Sequence, residues 1–426
     1  MAFPKLLQKL FSNNGGGSTL RSDILPDATD DEKGALKKTD VVLTSSQTLE
    51  AATQAVVRQN IGAVSSADYD DDKTEQTQSI QNVIPFGVID LTTTEWYRRP
   101  SLPTVAKRSV TLPAGMYVTI GETTYKTTQS STVNINDFGN VAGGDFYIYA
   151  CAPQSGDQPT FVISQNSTVP NGYDAQNSRK IGGFHTLCAD VGTIEDHPLS
   201  GYVTGDILPA SMWDLWHRPK GLTEGMVYLG EEYDCDVWVG IYLASWDGEN
   251  LVSQYGGTIA DGTSTKKWHG EAMAEQFNLQ KMRLPWRHEM VWAARGTPEQ
   301  VNIKGSADPT TTGGHVATND VRMISNIGCE DAAGVMWQWL MNLGFAGGSG
   351  WTNSVYSNQV DPRSYGQTYG NLYRLLAGGY WYDGSSCGSR SAACAHVSAS
   401  VGAYCGGRGA SEPLNAFALR NTGYPL

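Results

Sequence analysis

The sequence predicts a multidomain chain: an extended/helical N-terminal arm, a small all-β spacer of sandwich or prism type, and a large C-terminal α+β domain. Three observations lead there. With 426 residues the chain is longer than one hydrophobic core usually organises. Its 48 Gly, 12 Trp and 20 Tyr, set against only 17% charged residues, favour a loop-rich, β-containing protein over a helical bundle. The charged run DYDDDK at 68–73 then separates a weakly patterned N-terminal part from strand-like and mixed patterns downstream.

Taken in order, residues 1–42 form the arm. Phe3, Leu6, Leu7, Leu10 and Phe11 make a short amphipathic piece, followed by Asn-Asn-Gly-Gly-Gly and an acidic, turn-rich segment that orders only against something larger. Residues 43–75 hold a helix at 46–60 and the charged linker. Thr44 and Gln47 read as a capping box and Gly62 as the stop, while Leu49, Ala52 and Val56 give a stripe so narrow that the helix gains most by packing on copies of itself. Residues 76–165 read as short strands, VIPFGVIDL, RSVTLPAGMYVTIG, TTYKTTQSSTVNI and GDFYIYACA, separated by Gly and Pro turn signals. Such spacing suits a small sandwich or prism.

Residues 166–426 form the large domain. The block GMVYLGEEYDCDVWVGIYLAS alternates as paired strands do, helices are expected around 269–280 and 286–294, and a Gly-, Thr- and Asp-rich loop of the length usually reserved for function spans 296–320. A further short helix is expected from Glu330 to Met341, with Asp331 as its cap and with Trp337 and Trp339 spaced so that at most one points inward.

Composition excludes several functions. A net charge of -13 and a pI near 5.0 leave no concentrated basic face, so nucleic acid is not an expected partner. Lys5 and Lys9 interrupt the apolar start of MAFPKLLQKLFS and no run of 18 apolar residues occurs, so neither a secretory leader nor membrane insertion is expected and the product is made in a cytoplasm. The seven cysteines form no CxxC pair and read as free thiols. The acidic run at 68–73 lacks the Gly and the spaced Glu of a calcium loop.

The most unusual stretch is 378–409, GGYWYDGSSCGSRSAACAHVSASVGAYCGGRG. Beyond Tyr382 it has no Leu, Ile, Met, Phe or Trp, so it buries little apolar surface of its own and reads as a surface displayed on a scaffold built elsewhere. From Tyr382 onward it also has no Lys, Glu, Gln, Met or Trp, and every residue present can be encoded by a triplet ending in a pyrimidine. Adenine-directed mutagenesis of Asn codons ending in C would leave that imprint, and so would chance in a low-complexity loop of small residues.

Three motifs carry a family resemblance. RLPWRHEMVWAARG at 283–296, SNIGCEDAAGVMWQW at 325–339, and the ends LAGGYW at 376–381 and GRG at 407–409 resemble the formylglycine-generating-enzyme branch of the C-type lectin fold. Within that branch, Cys387-Gly-Ser-Arg390 and Gly406-Gly-Arg408-Gly409 around a mutable run are similar to the variable proteins of diversity-generating retroelements, among them phage tail-fibre receptor-binding proteins. The resemblance implies a C-type lectin-like domain over 166–426 with its variable region at 378–409. It also implies a homotrimer in the virion whose N-terminal arm meets phage tail or baseplate proteins, and a host-cell surface receptor, protein or glycan, as partner. Receptor contacts are expected from Tyr380, Tyr382, Asp383, Ser386, Ala393, His396, Ser398, Ser400 and Tyr404, because Tyr and His give contact area at little entropic cost while Ser and Ala leave room. Arg283, Trp337, Trp339, Trp381, Arg390 and Arg408 match scaffold positions of the family.

Two other readings stand beside this one. A non-viral bacterial variable protein of the same family fits the same motifs. An oxygen-using copper/thiol enzyme fits the fold branch, but Cys387, Cys394 and Cys405 do not reproduce its cysteine spacing, and the seven histidines show no facial cluster. No catalytic residue, metal or cofactor is therefore expected.

Overall fold

The computed structural model describes residues 11–14, 17–20, 104–215, 217–230, 235–351, 369–394 and 396–415. The helix expected at 46–60, the linker at 68–73 and the strand expected in VIPFGVIDL lie outside them, as does most of the arm. Within the arm, β1 (Phe11–Asn14) and β2 (Gly17–Leu20) pair as an antiparallel hairpin, and this hairpin belongs to a separate compact unit from residues 104–415.

The β-rich part begins with a three-stranded antiparallel sheet of β3 (Thr104–Ala106), β4 (Ser109–Leu112) and β7 (Ser131–Asn134), next to the hairpin of β5 (Tyr117–Ile120) and β6 (Thr123–Lys126). Alternation decides the faces: Val110 and Leu112 of β4 are buried, while Thr111 between them meets Thr132 hydroxyl to hydroxyl at 2.8 Å. A second sheet has the order β11 (Trp213–Asp214), β10 (Ser178–His185), β8 (Asp145–Cys151), β9 (Thr160–Ser164). It does not stop at residue 165. β10 pairs with β8 from Ser178↔Cys151 to His185↔Asp145, so the sheet begun in the expected spacer is completed beyond it.

β8 has no polar face. Phe146 stacks on Phe184 at 5.5 Å on one side, while Tyr147, Tyr149 and Cys151 on the other enter a core shared with Trp238, Trp268, Phe277 and Trp339. A strand covered on both sides reads as a continuous apolar run, as DFYIYAC does. Polar contacts cross the same seam. The Asp145 carboxylate accepts from Gly225 N at 2.9 Å and meets His185 Nδ1 at 2.8 Å, and His185 Nε2 lies 3.0 Å from the Tyr242 hydroxyl.

The remainder is mostly β, with two α-helices among the described residues, where an α+β domain was expected. β13 (Met226–Tyr228) and β14 (Trp238–Gly240) are the expected antiparallel pair, and β21 (Ala410–Ser411) joins β14. β12 (His217–Pro219) pairs with β22 (Pro413–Asn415), and β15 (Ala244–Trp246) with β16 (Leu251–Ser253). Helices α1 (Gly270–Leu279) and α2 (Arg287–Ala293) stand close to where periodicity predicts them. His269 caps α1, its Nδ1 accepting from Ala272 N at 3.3 Å, and Ala272, Met273, Gln276 and Phe277 form the buried face. Glu289 reaches back to accept from Trp286 N at 2.7 Å and so starts α2.

One expected element is overturned. Residues 330–341 do not form a helix: a turn at Asp331, φ 55°, and Gly334, φ 75°, leads into β17 (Trp337–Trp351). β17 pairs antiparallel with β18 (Tyr369–Ala377) and parallel with β20 (Cys405–Gly406), and β19 (Ala392–Ala393) completes that sheet. WQWL is buried on both faces, which removes the alternation that would have marked a strand. Trp337 and Trp339, two apart on a strand, share a face; Trp339 is fully buried and Trp337 packs partly exposed beside it. Asp331 and Glu330 are not caps. Glu330 receives two bonds from Arg322 Nη2, at 2.7 and 2.9 Å, and Asp331 accepts from Gly313 N at 2.8 Å and meets His315 Nδ1 at 2.9 Å.

Arg408 closes the fold. Its fully buried guanidinium donates to Gln338 Oε1 at 2.6 Å, to the carbonyls of Gly240 and Ile241 at 2.8 and 3.0 Å, and to the Glu330 carbonyl at 2.8 Å. Arg408→Lys lacks the fork that reaches all four, and is expected to cost about 3 kcal/mol because buried acceptors are left unpaired. A urea midpoint unchanged from wild type would contradict this role.

Candidate functional site

The stretch 378–409 leaves β18 and returns through β20, so both ends are fixed on the same sheet. Its first half is a closed loop. Gly378 N donates to Ser391 O at 3.1 Å and Gly388 N to Gly378 O at 3.1 Å, and β19 adds Ala392 and Ala393 opposite Ala377 and Leu376. Inside the loop, Asp383 accepts from Tyr380 N at 3.1 Å while Asp383 N donates to Tyr380 O at 3.1 Å, a tight turn with Tyr382 near its tip. Gly379 has φ 85°, and a Cβ there would stand 2.8 Å from Cys387 Sγ, so only glycine lets the buried cysteine seat against the loop base.

The second half lies along β18. Arg374 N donates to His396 O at 3.1 Å and Ser398 N to Leu372 O at 3.0 Å. Beneath it, the buried Arg374 guanidinium binds Glu271 at 2.8 and 3.2 Å and the carbonyls of Leu340 and Met341. The run then passes Gly402, whose carbonyl accepts from Gly262 N at 3.3 Å, and Tyr404, whose carbonyl accepts from Trp337 N at 3.0 Å.

This path gathers some expected contact residues and separates others. Tyr380 meets Trp381 at 5.0 Å and Tyr404 at 5.7 Å between ring centroids, and His396 meets Tyr404 at 5.9 Å, so the aromatics form one cluster. Tyr382, 74% exposed, is the most open large hydrophobic side chain of the run. Ser386 is exposed, and Asp383, Ala393 and Ser400 are half-buried. Ser398 departs from expectation: it is fully buried, because pairing with Leu372 draws it under the run. Val401, 51% exposed, is an unexpected apolar side chain on the surface.

The scaffold residues divide similarly. Arg283 forks onto Glu289 at 2.6 and 2.7 Å and reaches Glu412 at 2.7 Å, tying α2 to the segment after β21. Trp381 packs half-buried against the cluster of Leu243, Met323 and Val335. Arg390 is exposed, and its carbonyl accepts from Arg287 Nη2 at 3.2 Å; it touches the scaffold through backbone.

All seven cysteines are free. Burial pushes the Cys387 thiol up to about 12, with Asp383 adding to the effect, and burial alone does the same for Cys405. Such thiols carry little thiolate at neutral pH, the reverse of an activated nucleophile.

Residues 101–214 match the family described as Mtd second domain. The tail fiber receptor-binding protein of Bordetella phage BPP-1 is 30% identical over 297 residues, 64% of this chain and 72% of the relative. Among solved structures, the Major Tropism Determinant U1 variant superposes with a TM-score of 0.61 at 27% identity, covering 76% of this chain and 88% of that one. The M1 variant gives a TM-score of 0.60 at 27% identity, over 76% and 87%.

The His396 imidazole is held neutral: burial pushes its pKa down, only partly offset by Asp383, and its buried Nδ1 has no hydrogen-bond partner among the described residues. With the folded value depressed, stability is full above the unfolded value of about 6.5 and falls as pH drops below it, because the unfolded chain takes up the proton first. Unfolding free energies measured from pH 7.5 down to 5 are expected to fall less steeply in His396→Gln than in wild type. An NMR titration midpoint for His396 at or above the unfolded value would refute the assignment.

Proposed function

As a member of the family of phage tail-fibre receptor-binding proteins that includes the Major Tropism Determinant, this chain is, we propose, a virion adhesin that binds a host-cell surface receptor through the 378–409 run. The observation that carries this reading is the placement of that run: an exposed, small-residue, tyrosine-bearing surface whose two ends and underside are fixed by buried side chains. A contact surface that must accept many side-chain combinations needs its backbone held by residues outside it. Tyr380, Tyr382, Asp383, Ser386, Ala393, His396, Ser400 and Tyr404 are the proposed contact set, with Val401 added from its exposure and Ser398 assigned to the support beneath.

The finer parts of the reading extend it. The N-terminal arm is the proposed tail attachment and the copies assemble as a homotrimer, so that modest single-site affinity is multiplied by effective concentration. Binding is favoured over catalysis because the thiols of the run that shift are pushed away from the reactive form. The receptor is a protein or glycan of the host surface.

The test is binding of the purified full chain to a panel of bacterial cells, alongside a version whose 380–404 run is replaced by that of a sibling protein. A change of host range with the swap supports the reading; a folded chain whose binding ignores the swap removes it. Single substitutions divide contact from scaffold. Tyr382→Ala is expected to leave the melting temperature within about 2 °C of wild type while weakening each site by about 1–2 kcal/mol. Trp381→Ala is expected to cost about 2–4 kcal/mol of stability, less than a fully buried Trp because it is half-exposed. Tyr404, packed against the core beside Trp339, should lose in both measurements. Equal melting losses for Tyr382→Ala and Trp381→Ala would remove the division.

A further inference from the structure

The loop at 299–302 lies outside the variable stretch yet touches it three times. Both carboxylate oxygens of Glu299 lie 3.1 Å from Ser389 N, Gln300 N donates to Cys387 O at 3.0 Å, and the Asn302 side-chain amide donates to the Trp381 carbonyl. Asn302 is itself fixed. It is buried, its amide also reaches Ser306 Oγ at 2.9 Å, and its carbonyl accepts from Thr318 N at 2.9 Å. A Cβ on Gly388 would stand 2.1 Å from Glu299 Oε2, so the carboxylate occupies the space that a side chain at 388 would need.

We propose that Glu299, with Gln300 and Asn302, is the positioning clamp of the tyrosine-bearing half of the run. It fixes the base of the 378–391 loop at residues 381, 387 and 389, leaving Tyr380, Tyr382 and Ser386 as the part free to vary without loss of loop shape, while the Asp383 carboxylate helps to shape the turn by accepting from Tyr380 N. The second half needs no such clamp, since it lies on β18 through Arg374 N and Ser398 N. The clamp therefore serves the half that loops out of the sheet between β18 and β19. An acidic side chain suits the task because a carboxylate makes a stronger bond to a backbone N–H than a neutral acceptor does.

This inference rests on the receptor-binding reading, but its first test needs no receptor. Native-state hydrogen exchange of the full chain is followed in wild type, Glu299→Ala and Glu299→Gln. Glu299 is exposed, so both variants spare the core. Glu299→Ala is expected to speed exchange of peptides covering 378–391 about tenfold, the loss of one charge-assisted hydrogen bond, while peptides covering 396–405 and the melting temperature stay at wild-type values. Glu299→Gln, which keeps one acceptor oxygen, is expected to recover at least half of the protection. On cells that wild type binds, Glu299→Ala is expected to dissociate faster, with Glu299→Gln in between.

Unchanged exchange at 378–391, or loosening spread evenly over the domain, overturns the clamp. So does local loosening without faster dissociation from cells. If wild type binds no cell, the receptor reading falls, while the exchange pattern still decides whether Glu299 holds the loop.

Discussion

A fully buried arginine is the constraint on which the C-terminal domain depends. Removing a guanidinium from water is tolerated only when its donors are met, and Arg408 meets four acceptors: the Gln338 side chain and the carbonyls of Gly240, Ile241 and Glu330. Those acceptors come from β14, the segment just after it, the turn before β17, and β17 itself. One side chain thereby fixes the exit of the 378–409 run against three separate pieces of chain. Burial pushes its pKa down, yet a guanidinium keeps its proton throughout the ordinary pH range. The neighbouring charges are arranged around it with partners of their own, Arg322 on Glu330 and His315 on Asp331.

The β-rich part is integrated with this domain rather than appended to it. The Tyr147, Tyr149 and Cys151 face of β8 shares a core with Trp238, Phe277 and Trp339. Asp145, His185 and Tyr242 continue the seam as a hydrogen-bonded chain. Apolar burial supplies most of the adhesion at such a seam, and the polar chain fixes its register, since a shift would leave buried groups unpaired. The domain that carries the 378–409 run is thereby packed directly on the β-rich part.

Within the 378–409 run, the groups that hold the backbone are separate from the exposed side chains. The backbone is fixed from outside by carboxylate, amide and strand contacts from Glu299, Asn302, Leu372 and Arg374, all of which lie outside 378–409. The exposed positions carry Tyr, Ser and Ala, whose replacement changes contact chemistry while leaving the hydrogen bonds of the backbone in place. Gly379 and Gly388 are the exceptions that must not vary, because Cys387 and Glu299 occupy the volume their side chains would take.

The sequence by itself determined a great deal. The pairing of β13 with β14 and both helices of the 269–294 region were legible, because each rests on a local pattern. What local pattern could not supply, tertiary structure decided. WQWL lost its period through burial on both faces and became a strand instead of a helix, and the two tryptophans consequently share a side. Ser398 looks like its serine neighbours in sequence, but pairing with Leu372, 26 positions earlier, sinks it beneath the face. Glu299 and Asn302 carry no signature, since a carboxylate acquires a positioning role only when a loop some 90 residues away brings a backbone N–H to it. Propensity and periodicity act over a few residues, whereas burial and hydrogen-bond satisfaction are settled between segments that meet only in the folded chain.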